Sequence, residues 1–201
     1  MTDSVKIPLC LPWWDESEAL GLGAQFEKAT GFYVTGQQHL DDFWQWLPRI
    51  YRNDYPKPYL TPEMLPVSTW EDNVRTRVSA ERWDRLRRHC YKAAGNRCEI
   101  CGTQGMLEAH ESWYLWDEMG IQRLERLLAL CPLCHKAHHL GFARKLGIYD
   151  EVIMHIKKIN NWTDKQLKEA LQDAKDICDQ RSQEPWDVDV SWLISSGIMH
   201  A

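Results

Sequence analysis

The chain has 201 residues, 24 Lys and Arg against 29 Asp and Glu, 44% hydrophobic and 26% charged residues. These values exclude a disordered or fibrous chain and leave room for one good-sized core or two modest ones. No apolar run approaches the roughly 20 residues that span a bilayer, and the opening MTDSVKIPLCLPWW lacks the basic and apolar regions of a signal peptide, so the expected location is cytoplasmic, with no membrane partner.

In chain order, the first part reads as a strand from Ile7 to Leu11, a helix from Ser17 to Lys28, a short strand at Phe32, Tyr33 and Val34, and a second helix from Leu40 to Tyr51. This is a small β-α-β-α module over residues 1–52. Residues 53–68 carry Pro56, Pro58, Pro62 and Pro66, which fix φ and remove donors, so a stiff linker and a domain boundary are expected there. A second domain, residues 69–201, then opens with Ser79 as N-cap of a helix to about Ala94 that Gly95 stops. Trp83, Leu86 and Cys90 fall on its inner face. Between Val74 and Arg97, eight basic residues face only Glu81 and Asp84, so the net charge of −5 conceals a positive stretch. Arg75, Arg77, Arg82, Arg85, Arg88 and Lys92 are its candidate phosphate contacts, able to neutralise DNA regardless of sequence.

Further on, Met106 to Glu111 alternates like a strand, Gly120 to Leu130 fits strand or helix, and Leu133 to Leu146 reads as a helix. Thr163-Asp164-Lys165-Gln166 is a capping-box start for a helix to about Arg181, followed by a strand-like Trp186 to Trp192. The expected class is α+β.

Seven cysteines are present, four of them as Cys98-Glu99-Ile100-Cys101 and Cys131-Pro132-Leu133-Cys134. Two such knuckles complete a tetrahedral site, so Cys98, Cys101, Cys131 and Cys134 are read as ligands of a structural zinc. Four of the eight histidines, His110, His135, His138 and His139, lie between or just after these knuckles. His135 and His139, four apart on a helix, project from one face, and His110 or Glu111 on the facing strand can supply a third ligand. Such a site suits phosphodiester hydrolysis, with a nearby base activating water. His138 is placed outside it, and His39, His89, His155 and His200 read as structural or surface residues. Trp13, Trp14, Trp44, Trp46, Trp113, Trp116, Trp186 and Trp192 read as packing residues.

Cys98-Glu99-Ile100-Cys101-Gly102, Leu107-Glu108-Ala109-His110-Glu111 and Leu128 through His139 resemble the H-N-H (ββα-metal) endonuclease pattern with a four-cysteine zinc. Residues Trp70 to Trp192 are similar, more narrowly, to a bacterial and phage group of H-N-H-like proteins. They share a W..N.R opening, an HE.W strand, RLERL.ALC..CH and a closing W..D.SWL. The resemblance implies a hairpin and helix lying in the DNA minor groove and a second divalent ion, magnesium, manganese or zinc, at the scissile phosphate. It leaves two registers open. In one His110 is the base; in the other His110 binds metal and Glu111 stands at the base position. The Asn in the middle of the family motif aligns near Arg126. Residues Ile7 to Pro48 also resemble a small domain of unknown function found in plasmid, phage and conjugative-element proteins. The expected function is metal-dependent cleavage or nicking of DNA. A catalytically inactive regulator that binds nucleic acid, or a protein partner through residues 1–52, stays open beside it.

Overall fold

The computed structural model describes residues 5–35 and 39–195, and it is an α+β fold with two three-stranded sheets. In the first sheet β1 (Lys6–Pro8) and β2 (Gln25–Glu27) both run antiparallel to β3 (Gly31–Thr35), which lies between them. Helix α1 (Glu16–Gly21) joins β1 to β2. The helix expected through Lys28 thus ends at Gly21, and β2 occupies its last turn. Two glycines at Gly21 and Gly23 stop the helix, and Gly23 takes φ of 98°. The helix expected over Leu40 to Tyr51 is instead two 3₁₀ segments, Leu40–Trp46 and Arg49–Tyr51, because Pro48 forbids a continuous helix and forces Leu47 to be extended. Ile7, Leu9, Val34, Phe43 and Trp46 pack into one apolar cluster, and the Trp46 indole donates to Asp15 at 2.9 Å.

Residues 53–68 carry no helix or strand before a 3₁₀ turn at Val67–Thr69. This stretch lies on the chain's later half: Leu60 is buried there, and the Asn160 side chain accepts from the amides of Tyr59 and Leu60 and donates to the Leu60 carbonyl. Helix α2 (Val74–Arg77) and helix α3 (Ala80–Ala93) follow. Ser79 caps α3 through the Arg82 amide, and Leu86 and Cys90 face the core. Gly95 ends the run at φ of +58°. A Cβ there would sit 2.4 Å from the Leu11 carbonyl oxygen, so only glycine lets the two chain segments meet.

The second sheet holds the hairpin β4 (Glu108–Trp116) and β5 (Ile121–Leu130), with β6 (Asp187–Asp189) parallel to β5. A bulge breaks the register: Ser112 faces Arg126 while Trp113 faces Leu124, leaving Glu125 unopposed. The extra residue shifts the phase of alternation, so Gln122 and Leu124 are buried and then Leu127 and Leu128. That phase shift is why the stretch from Gly120 to Leu130 fits either period in the sequence.

After β5 come α4 (Pro132–His138), α5 (Leu140–Lys145), α6 (Tyr149–Asn160), α7 (Asp164–Arg181) and α8 (Trp192–Ser195). The single helix expected from Leu133 to Leu146 is broken at His139, where ψ reaches 58°. The His138 carbonyl accepts from the Glu63 amide at 3.1 Å, and the Phe142 amide turns to the His139 carbonyl, so the i to i+4 ladder is interrupted. Helix α6 was not expected from the sequence. The capping box at Thr163 starts α7 as expected. Among the described residues no helix is long and apolar enough to cross a membrane.

Candidate metal centre

Two groups of donors form where the elements meet. The first is sulfur. Cys98 and Cys101 close the turn after α3, and Cys131 and Cys134 start α4, so the end of one helix and the beginning of another bring four sulfurs within 4.8 Å of one another. Cys101 Sγ and Cys131 Sγ are 3.8 Å apart. A tetrahedron with zinc–sulfur bonds of about 2.3 Å has edges of roughly 3.8 Å, so the spacing and donor set fit a structural metal ion. Hydrogen bonding with Cys101 pulls Cys131 far below the ordinary thiol range and pushes Cys98 and Cys134 above it. Four thiols in contact compete for protons, and a cation relieves that competition. His155, read from sequence as structural, extends from α6 to within 3.1 Å of Cys134 Sγ and is an outer partner of the cluster.

The second group is nitrogen and oxygen. On β4, Glu108 and His110 reach α4, Glu108 at His135 and Lys136 and His110 against the rings of His135 and His138. The His110, His135 and His139 donor atoms all lie within 4.8 Å of one another. Their rings meet edge-on, with centroids 5.4 Å apart for His110–His135, 5.1 Å for His110–His139 and 4.9 Å for His135–His139. His135 Nδ1 is bound by Glu108, which also holds Lys136. That bond fixes the ring and leaves Nε2 for a cation. Burial opposes ionisation of Glu108, but the bonds from Lys136 and His135 hold it below the usual carboxylate range. Burial lowers His135 and His139, and takes His110 and His138 well below the ordinary value, a shift toward the neutral form that metal ligation requires.

Two residues set aside or missed in the sequence enter here. His138 is stacked on His110 with centroids 4.3 Å apart. Glu63, from the proline-rich stretch, places Oε1 3.0 Å from His110 Nε2 and Oε2 3.9 Å from His139 Nδ1. Its only sequence signal was a carboxylate beside Pro62, too weak to single out. Burial pushes its carboxyl up to about 8.

Glu111 is apart from the histidines: its Oε1 accepts from the Val74 amide at 2.9 Å, at the start of α2, and burial raises it to about 7. Arg126, near which the motif Asn aligns, pairs with Glu99 at 2.6 Å. A cleft of about 600 Å³ connects these groups, with Glu63, Arg75, Trp83, His110, Glu111 and His139 on its walls. Arg75, Arg77, Arg82, Arg85, Arg88 and Lys92 are all exposed, and of these Arg75 borders the cleft. Arg77 pairs with Asp72, and Arg88 with Asp84 at 2.7 Å. Trp46, Trp113, Trp186 and Trp192 pack as expected, whereas Trp13, Trp14, Trp44 and Trp116 are exposed. His89 stacks on Trp14, and His200 lies outside the described residues.

Comparison with protein-family models gives no match. Neither curated proteins nor solved structures give one.

Proposed function

We propose that the chain is a metal-dependent endonuclease of the H-N-H-like kind, hydrolysing phosphodiester bonds of DNA, with a structural zinc on the four cysteines. The observation that carries this reading is the convergence of three imidazoles, one of them braced by Glu108, in a cleft that Arg75 borders. The order β4, β5, α4 that delivers them is also that of a ββα-metal hairpin and helix. His110, His135 and His139 would hold magnesium, manganese or zinc, which supplies stabilisation of charge on the phosphoryl group. Glu111, which lines the same cleft with a carboxyl raised to about 7, would take the proton from the attacking water. The exposed basic side chains of α2 and α3 would hold the phosphate backbone on either side.

The test is nicking of supercoiled plasmid in magnesium or manganese. Cleavage by the wild-type chain, and its loss in His110→Ala and His139→Ala, is the expected result. Intact plasmid with folded wild-type protein refutes it. One observation favours a second reading. The side chains at the two motif positions for base and Asn are already engaged, Glu111 by Val74 and Arg126 by Glu99. In that reading the chain is an inactive regulator that binds nucleic acid or, through exposed Trp13, Phe26 and Trp44 in residues 1–52, a protein. A steep fall of binding with salt marks nucleic acid, since only phosphate neutralisation releases counterions.

A further inference from the structure

The seam between the first sheet and the cysteine turn encloses a cavity of about 480 Å³ that shares no wall residue with the cleft at the histidines. Its place follows from the backbone. The amides of Arg49 and Ile50 bond the carbonyls of Glu99 and Ile100, which seats the 3₁₀ segment Arg49–Tyr51 on the turn and sets Arg49 at the cavity wall. The size falls in the range of roughly 300–1,000 Å³ that holds small organic ligands.

The carboxylates and arginines of this wall are matched except for one. Asp15 accepts the Trp46 indole at 2.9 Å, Glu99 accepts from Arg126 at 2.6 Å and from the Ala129 amide at 2.8 Å, and Arg52 is held by Asp54 at 2.6 Å. Arg49 is half-buried, and among the described residues its guanidinium donates no hydrogen bond and has no carboxylate within 4.0 Å. It rests over the Tyr55 ring, 4.8 Å from the centroid. Burial works against its charge, and Arg126 adds to that. A cation drawn out of water without a partner is costly, and an anion arriving on its fork of donors relieves the cost. Arg52 and Arg126 line the same cavity with donors beyond those their carboxylates use, which suits the three oxygens of a phosphate better than the two of a carboxylate. The rest of the wall is flat and apolar, with Trp44, Tyr55 and Trp192 on it, and Trp44 is half exposed. Such rings accept a planar base of any sequence. We propose that this cavity binds a nucleoside phosphomonoester, with the phosphate on Arg49 and the base among Trp44, Tyr55 and Trp192. The same group occurs on a free nucleotide and at the 5′ end of a strand. The site is separate from the metal cleft and does not rest on the nuclease reading.

The experiment is calorimetric titration of the full-length chain with adenosine monophosphate, without added divalent ions. Wild-type chain should bind it, and should bind adenosine and ribose 5-phosphate each at least about 10-fold more weakly. Arg49→Met should lose at least about 10-fold, the loss of a hydrogen-bonded charge, and Arg49→Lys should fall between. Arg49→Met removes a charge that has no partner, so its melting midpoint should not drop; Trp44→Ala, at an exposed ring, is a second variant and should lose at least about 5-fold. Arg75→Ala, in the other cleft, should bind as wild type does. A 5′-phosphorylated oligonucleotide and its 5′-hydroxyl counterpart separate the two sources: preference for the phosphorylated strand over the free nucleotide names the strand end, and the reverse names the free nucleotide. No binding to wild-type chain overturns the proposal. Equal binding by folded Arg49→Met overturns it as well, and so does loss in Arg75→Ala with retention in Arg49→Met, which would place the phosphate in the metal cleft.

Discussion

The sheet β1–β3 and the region around the cysteines are held by different forces. The first has strands of three to five residues and is fastened by Phe43, Trp46, Leu9 and Val34 packing together, with one indole bond to Asp15. In the second, Cys98, Cys131 and Cys134 sit inside the apolar cluster with Ile100, Leu128 and Ile156. A thiolate there is stable only when a cation neutralises it. Stability in the first region therefore follows buried apolar area, and in the second it would follow the metal that the four sulfurs could hold.

Substitution of Cys131 by Ser gives the largest expected effect. It should strip the metal and lower the melting midpoint by on the order of 10 °C or more, since each kcal/mol moves the midpoint of a chain this size by about 2–4 °C. Calorimetry with and without chelator checks it, and an unchanged midpoint would erase the distinction between the regions. Phe43→Ala should cost about 3–5 kcal/mol in denaturant melts, by the cavity it leaves, and should do so equally with or without chelator. Asn160→Ala orphans three backbone groups of the proline-rich stretch and should cost about 2–3 kcal/mol.

Burial raises the Glu63 carboxyl from its usual 4.5 to about 8. In the unfolded chain it ionises near 4.5, so the folded chain holds a proton that the unfolded one has lost. Stability should accordingly fall as pH rises from about 4.5 through 8 without added divalent ions, and Glu63→Gln should flatten that fall in melts across the range. Thr163→Ala removes the cap of α7 and should cost about 1 kcal/mol, the smallest effect.

Local chemistry that acts within a few residues was legible: the Ser79 and Thr163 caps, the glycine after α3, the sulfur pairs and the cluster of histidines. What the sequence hid depends on distant partners. The break at His139 comes from the Glu63 amide, 76 positions upstream, taking the His138 carbonyl. The carboxylate of Glu63 reaches the histidines from a stretch held at two points, by Asn160 at Tyr59 and Leu60 and by the Glu63 amide on the His138 carbonyl. The bulge at Glu125 removed the strict alternation that would have marked β5 as a strand. Helix α6 carries Val152, Ile156 and Ile159 at helical spacing, but no side-chain cap at Ile148 marks where it starts.

The first cysteine turn is also a seat. The carbonyls of Glu99 and Ile100 accept the amides of Arg49 and Ile50 at 2.9 and 3.2 Å, and Cys10 Sγ reaches the Cys98 carbonyl. Gly102 fits between Pro8 and Pro48 with no space for a side chain. The anchorage of the leading forty-odd residues is thereby made conditional on what the sulfurs hold. An ion released at one end of that loop would slacken the grip on Trp46 at the other, so the packing of the front of the molecule would report whether the sulfurs hold a metal.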